Sequence, residues 1–204
     1  MERAGQQLVM VARWILTVQL LVVLVFLFFG ETILGWVEAG FAAGAVVLVL
    51  LMIGDAITGS LSVSELPFLY LRPSTNIVFG GATLALNVGL GFFFVQAYGA
   101  VGAATSVLIT ILVVNVARIV ASHRMFGQRV IGPTLAKPVA AALFASAIAW
   151  GAGQMFPLLG TAGALLQLVL AIGSYLGALA LIGLEAEDRM QVRRIVDRLR
   201  PRRA

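Results

Sequence analysis

The sequence has no cysteine and few charged residues. Without cysteine, the chain forms no disulfide and no thiolate metal site. Charged residues make up 11% of the 204 positions, whereas a soluble domain carries roughly 25%. Hydrophobic residues make up 61%, so the chain has too few charged side chains to cover a surface that faces water. The composition therefore indicates a protein embedded in a membrane.

Long apolar runs take the place of the missing charges. A helix needs roughly 20 apolar residues to cross a bilayer, and six runs approach that length. Prolines support the boundaries, because none falls at the centre of a run and Pro138 is expected in the first turn of the fifth helix. We therefore predict an all-α polytopic membrane protein with six transmembrane helices, at 11–29, 39–61, 77–97, 100–121, 135–155 and 160–184.

The basic residues indicate the orientation of these spans. With six spans, all 14 Lys and Arg fall on the side that carries both termini, and such residues concentrate in cytoplasmic loops. Both termini are therefore expected in the cytoplasm. Residues 185–204 combine apolar positions at helical spacing with arginines on the opposite face, which is typical of a short amphipathic helix on an anionic inner leaflet. Alternatively, this tail only fixes the topology. We expect a six-helix transmembrane lobe at 1–184 and a basic cytoplasmic tail at 185–204.

A very short connection, residues 97–100, joins the third and fourth predicted helices. Such a link requires the two helices to be antiparallel and in contact. Small residues at every fourth position allow close approach of helices in lipid. We predict that two such patterns lie in helix contacts, one in the hairpin (Gly81, Ala85 and Gly89 facing Gly102 and Ser106) and one on the fifth helix (Ala141, Ala145, Ala149 and Gly153).

Residues 69–127 carry a series of features in a fixed order. A polar connection containing Arg72 leads into a span containing Asn87, and an outer turn YGAVGAA at 98–104 precedes a span with a basic end. This series resembles the second half of bacterial polysaccharide flippases, which belong to the multidrug/oligosaccharidyl-lipid/polysaccharide exporter superfamily. The segment ILGWVEAGF at 33–41 is similar to the outer turn between the first two helices of that half.

The resemblance implies transport across a bacterial inner membrane. Family members have two six-helix lobes that alternate in access around a central cavity, which shelters a lipid-linked glycan. This chain looks like the C-terminal lobe, so the implied partner is a second six-helix lobe or a second copy in a homodimer. The chain is then a piece of a longer protein or a half-size product. The alternatives are a drug or lipid-precursor exporter lobe and a non-transporting scaffold for glycan synthesis.

Asp55 is the only acidic residue well inside a predicted span. A central Asp costs about 2.5–3.5 kcal/mol on insertion scales, so we predict a carboxylate that lines a substrate cavity. The alternative is a carboxylate that reaches the cytoplasmic interface and pairs with Arg118 or Arg124. Asn87 and Asn115 are candidates for the same cavity, although amides in membranes also serve as packing contacts.

Arg72 and Arg118 lie at the predicted cytoplasmic mouth, where guanidinium geometry suits a pyrophosphate head group. The alternative is that both only anchor the topology. The sole histidine, His123, has no cysteine or nearby carboxylate with which to form a metal site or a catalytic set, and no phosphate-binding loop motif is present. We therefore predict neither an enzyme nor a cofactor. The basic residues lack interleaved aromatics, so we do not expect nucleic-acid binding.

Overall fold

In a computed structural model of the chain, residues 2–62, 65–126, 133–155 and 160–182 are described, and almost all of them are helical. The predicted tail at 185–204 lies outside these residues. The helices in chain order are α1 (Glu2–Val37), a 3-10 helix (Ala39–Gly44), α2 (Ala45–Leu61), α3 (Leu66–Leu71), α4 (Pro73–Phe126), α5 (Pro133–Met155) and α6 (Gly160–Ile182).

Five helical segments among the described residues are long and apolar enough to cross a membrane. They comprise α1, α2 with part of the preceding 3-10 helix, α4, α5 and α6. The all-α, membrane-type prediction is confirmed at this level. Helix α4 has 54 residues, more than twice the roughly 20 that one crossing needs. The predicted six spans therefore require each half of α4 to cross separately, and the orientation of the termini stays a prediction.

Helix α4 folds back on itself at Gly99. This residue has φ 57° and ψ −132° inside an otherwise helical segment, a conformation that glycine adopts because it has no Cβ. Across the turn, the Arg118 guanidinium lies 5.4 Å from the centroid of the Phe79 ring. A Cβ on Gly91 would lie 3.7 Å from Ser106 Oγ. The predicted hairpin is confirmed, with antiparallel arms at 73–98 and 100–126.

Helix α1 is the centre of the helix packing. Among the described helices it contacts α2, α5 and α6, whereas α4 contacts only α2 and α3. Within the described residues, no Cα atom of α4 lies within 8 Å of α5 or α6. The helices therefore form an open row in which α2 connects the α4 hairpin to α1, and α5 and α6 lie against another part of α1.

The alanine pattern on α5 lies in the core, as predicted. Ala141, Ala145 and Ala149 are fully buried, and the first two pack with Tyr175 of α6 and Leu24 of α1. The hydroxyl of Tyr175, the largest fully buried side chain, donates to the backbone carbonyl oxygen of Thr17 at 3.0 Å. Small residues on α5 thus allow three helices to meet around one tyrosine.

The small-residue pattern predicted on the first hairpin arm does not form the hairpin contact. Gly81, Ala85 and Gly89 are exposed, and a Cβ on either glycine would have nothing within 4 Å. On the second arm the prediction holds: Gly102 and Ser106 are buried, Gly102 admits the backbone carbonyl of Phe94 so closely that no Cβ fits, and Ser106 lies opposite Gly91. Spacing identifies a helix face that permits close approach, but shape complementarity decides which face a neighbour covers.

The position of Pro138 within helix α5 also differs from the prediction. Helix α5 begins at Pro133, two residues before the predicted start, so Pro138 lies in the second turn instead of the first. Because proline has no N–H, the carbonyl oxygen of Thr134 loses its helical partner. The proline is buried in the helix packing and does not end the helix.

The alternating helix directions separate the charged residues. Leu135 at the start of α5 belongs to the same buried cluster as Ala12 of α1 and Ala56 of α2, so these three segments share one end of the structure. We call it the basic end, because the lysine and arginine side chains that the structure describes lie in the half of each helix toward it: Arg13, Arg72, Arg118, Arg124 and Lys137. Glu31 and Glu38 lie toward the opposite end. Positive charge concentrates on the cytoplasmic side of membrane proteins, so a cytoplasmic basic end stays a prediction from charge.

The turn at Gly99 predicts a contrast between two Gly→Ala substitutions. Gly99→Ala is expected to destabilise the protein by about 1–3 kcal/mol, since a side chain is strained in this backbone conformation. Gly89→Ala is the matched control on the same hairpin. It is helical with open space around it, and it is expected to be neutral or stabilising by up to about 1 kcal/mol. Unfolding of the purified proteins by SDS in detergent micelles measures both, and equal effects would contradict the assignment of the turn.

Candidate functional site

The side chain of Asp55 is exposed on α2. Its two neighbours in sequence face helices that pack on α2. A Cβ on Gly54 would lie 2.9 Å from Cδ1 of Ile111 on α4, and Ala56 is buried in a cluster with Leu16 of α1. Successive residues on a helix point about 100° apart, so the carboxylate points away from both contacts. It remains accessible in a helix that is otherwise apolar.

The exposed side of α2 around Asp55 forms one continuous face. Leu51, Thr58 and Ser62 are also exposed and follow helical spacing from Asp55. We call these four residues the α2 polar face, since it gains hydroxyl groups toward the basic end. A carboxylate on a face that meets only lipid is costly, so the α2 polar face is more stable against water or a polar partner than against hydrocarbon.

Gln19 of α1 holds the backbone beneath Asp55. Its Nε2 donates to the carbonyl oxygen of Asp55 at 3.2 Å. The same amide fills the space beside Gly59, where a Cβ would lie 2.7 Å from Nε2. Only glycine admits the amide this closely, and the contact fixes the position of Asp55 without using its carboxylate. The sequence does not identify this pairing, because an amide within a span has many possible partners.

The two candidate asparagines have different surroundings. Asn115 is 5% exposed, and its Nδ2 donates to the carbonyl oxygen of Ile111 one turn earlier at 2.9 Å. Asn87 is partly exposed on the first arm of the hairpin. In this conformation Asp55 and Asn87 are accessible, whereas the amide of Asn115 is occupied within its own helix.

Arg118 pairs with Glu65 across the α3–α4 contact. Its Nη1 lies 3.4 Å from Oε2 of Glu65, and its guanidinium covers the ring of Phe79. Phe79 in turn packs edge-on against the fully buried Phe68, with 5.3 Å between ring centroids. We call these four residues the α3 anchor. It attaches the short helix α3 to the basic end of the hairpin, and it uses the arginine that was one alternative partner for Asp55.

Arg72 differs from Arg118 in accessibility. It ends α3, and its carbonyl oxygen accepts the N–H groups of Thr75 at 3.0 Å and Asn76 at 3.3 Å at the start of α4. Its guanidinium is exposed, whereas the side chain of Arg118 is 12% exposed. Of the two arginines predicted to contact phosphate, Arg72 is therefore the more accessible in this structure.

No group of three or more His, Cys, Asp or Glu in the described part of the chain is arranged to hold a metal ion. No known protein family, curated protein or solved structure matches the chain. The similarity of residues 69–127 to polysaccharide flippases therefore stays a prediction from their sequence features. The fold itself defines a helical protein with several apolar helices of membrane-spanning length.

The α3 anchor predicts that burial of Phe68 contributes more stability than the ion pair beside it. Phe68→Ala is expected to cost about 3–5 kcal/mol, because it leaves a cavity under α3. Glu65→Gln is expected to cost at most about 1 kcal/mol, since Glu65 is partly exposed and its pair with Arg118 is screened. Tyr70→Ala on the same helix is the control, because Tyr70 is 78% exposed. SDS unfolding in micelles ranks the three variants, and a larger loss from Glu65→Gln than from Phe68→Ala would overturn this account.

Proposed function

We propose that this chain is one lobe of a membrane transporter that moves lipid-linked oligosaccharide or polysaccharide precursors across a bacterial inner membrane by alternating access. The observation that carries the proposal is the exposed carboxylate of Asp55 in the middle of an apolar helix. A purely structural Asp would gain most from a partner within the lobe. Here the backbone is held by Gln19 while the carboxylate faces outward, as expected for a cavity wall.

The open row of helices supports a two-lobe transporter. Helix α4 reaches α1 only through α2, and no residue of its 73–98 arm is fully buried. A second six-helix lobe would cover these surfaces and enclose a polar cavity against the α2 polar face. That lobe belongs either to the same longer protein or to a second copy of this chain. An even number of spans lets two copies insert in the same orientation, about an axis along the membrane normal.

The proposed cavity separates the two chemical parts of the substrate. Hydroxyl-rich sugars need hydrogen-bonding groups or water while they cross the hydrocarbon layer, because unsatisfied polar groups are costly there. Asp55 and Thr58 on the α2 polar face supply such groups, and Asn87 is accessible on the hairpin. Arg72 at the basic end supplies a guanidinium for the phosphate groups. The lipid tail remains in the bilayer during the movement.

Neutralising Asp55 tests this function directly. Asp55→Asn keeps the size of the side chain but removes its charge, and we expect it to abolish translocation of a fluorescent lipid-linked oligosaccharide in proteoliposomes. The amount of folded protein in the membrane is expected to stay unchanged or to rise, because an uncharged residue inserts more easily. Glu65→Gln is the control, as it removes an acidic charge from the same end outside the α2 polar face. Full transport by Asp55→Asn would exclude the proposed role, and loss of the protein from the membrane would assign Asp55 to structure.

The two-copy arrangement is tested by crosslinking. Because the chain has no cysteine, Leu51→Cys places a single thiol on the α2 polar face. A short bis-maleimide in native membranes is expected to yield a dimer of this variant. Leu181→Cys on α6, at a position that is 89% exposed, is expected to remain monomeric. Monomer from both variants would contradict a homodimer and would leave the second lobe to a longer protein.

A further inference from the structure

We propose that α3 is a membrane-surface element that lies on the anionic phospholipid head groups at the basic end. This proposal requires only that α2 and α4 span a membrane and does not depend on transport. Helix α3 joins the last residues of α2 to the first residues of α4, so both of its ends lie where the chain leaves the apolar layer. No other described element covers its outer side, because α3 contacts α4 alone among the described helices.

The side chains of α3 divide between an inner contact and an outer apolar surface. Phe68 is completely buried against Phe79. Leu69, Tyr70 and Leu71 are 50%, 78% and 68% exposed. A connection that faces water is normally polar, because exposed apolar side chains gain nothing there. Three consecutive outward apolar side chains instead suit the boundary between head groups and acyl chains.

The outward direction of this surface is fixed by the α3 anchor. Phe68 holds the inner side of the helix, and the ion pair of Glu65 with Arg118 holds its start at 3.4 Å. Rotation of α3 that turned Leu69 and Tyr70 inward would break both contacts. The apolar surface is therefore a built feature of the fold.

Charge complementarity selects lipid as the partner. The exposed guanidinium of Arg72 directly follows the apolar surface, and Arg124 lies in the last turn of α4 at the same end. Tyrosine is enriched at the membrane–water boundary, and arginine binds phosphate groups through its planar fork. An anionic leaflet offers acyl chains for Leu69 and Leu71 and phosphates for Arg72, at the same depth and along the same short helix.

Single-cysteine variants of the full chain test this placement. Leu69→Cys and Tyr70→Cys change exposed side chains of α3, and His123→Cys is the matched control at an exposed polar position of the same end. The proteins are reconstituted in nanodiscs of phosphatidylcholine with or without phosphatidylglycerol. A membrane-impermeant maleimide is expected to label positions 69 and 70 at least about tenfold more slowly than position 123, because an apolar layer disfavours the reactive thiolate. Equal labelling rates would place α3 in water and overturn the proposal.

A second readout separates lipid from protein as the covering material. With a small fluorophore on the same cysteines, nitroxide-labelled lipids are expected to quench the fluorescence at positions 69 and 70 more strongly than at 123. Slow labelling without lipid quenching would show that protein, such as a second lobe, covers α3, and would also overturn the proposal. In addition, quenching at position 70 is expected to increase when phosphatidylglycerol is present, and Arg72→Gln is expected to remove that increase. An increase that persists in Arg72→Gln would exclude the role of this guanidinium.

Discussion

The need to satisfy polar groups without water governs this structure. In a hydrocarbon layer each backbone group must find its partner within the protein, which explains why the described chain is almost entirely helical. Several hydroxyl and amide side chains meet the same constraint by bonding to their own helix. Thr110 donates to the carbonyl oxygen of Ser106, Asn115 to that of Ile111, and Ser174 to that of Leu170. Each of these donors finds its acceptor one turn earlier in its own helix, so it needs no hydrogen bond from a neighbouring helix.

The carboxylate of Asp55 cannot form such a hydrogen bond within its own helix. An ionised carboxylate only accepts hydrogen bonds, so it has nothing to donate to the carbonyl oxygen one turn earlier. Its oxygen atoms must therefore accept hydrogen bonds from donors outside its own helix. The side chain points away from the helices that flank α2. A residue that the fold neither buries nor satisfies is costly in a membrane. Its presence is therefore better explained by the proposed polar cavity than by a contribution to stability.

The sequence predicts the parts of this structure that depend on local properties. Run length and hydropathy place the helices, and the short connection at 97–100 requires the hairpin that turns at Gly99. Contacts between helices are less predictable, because lipid is as apolar as the side chains and helix association depends on shape. Four-residue spacing therefore identified the buried alanines of α5 but also selected Gly81, Ala85 and Gly89, which lie exposed. For the site, the sequence singles out Asp55, whereas the pairing of Arg118 with Glu65 arises only when α3 folds against the hairpin.

Asp55 lies on the helix turn where two groups of packed helices are joined. The hairpin and α3 connect to the rest of the described structure through α2, and α5 and α6 connect through α1. The α1–α2 contact is therefore the seam between two groups of helices, and the hydrogen bond from Gln19 to the Asp55 backbone lies in that seam. The hydrogen bond depends on a glycine at position 59, since any side chain there would displace the Gln19 amide. A change of charge or of partner at the Asp55 carboxylate thus acts on the helix turn through which the two groups are joined.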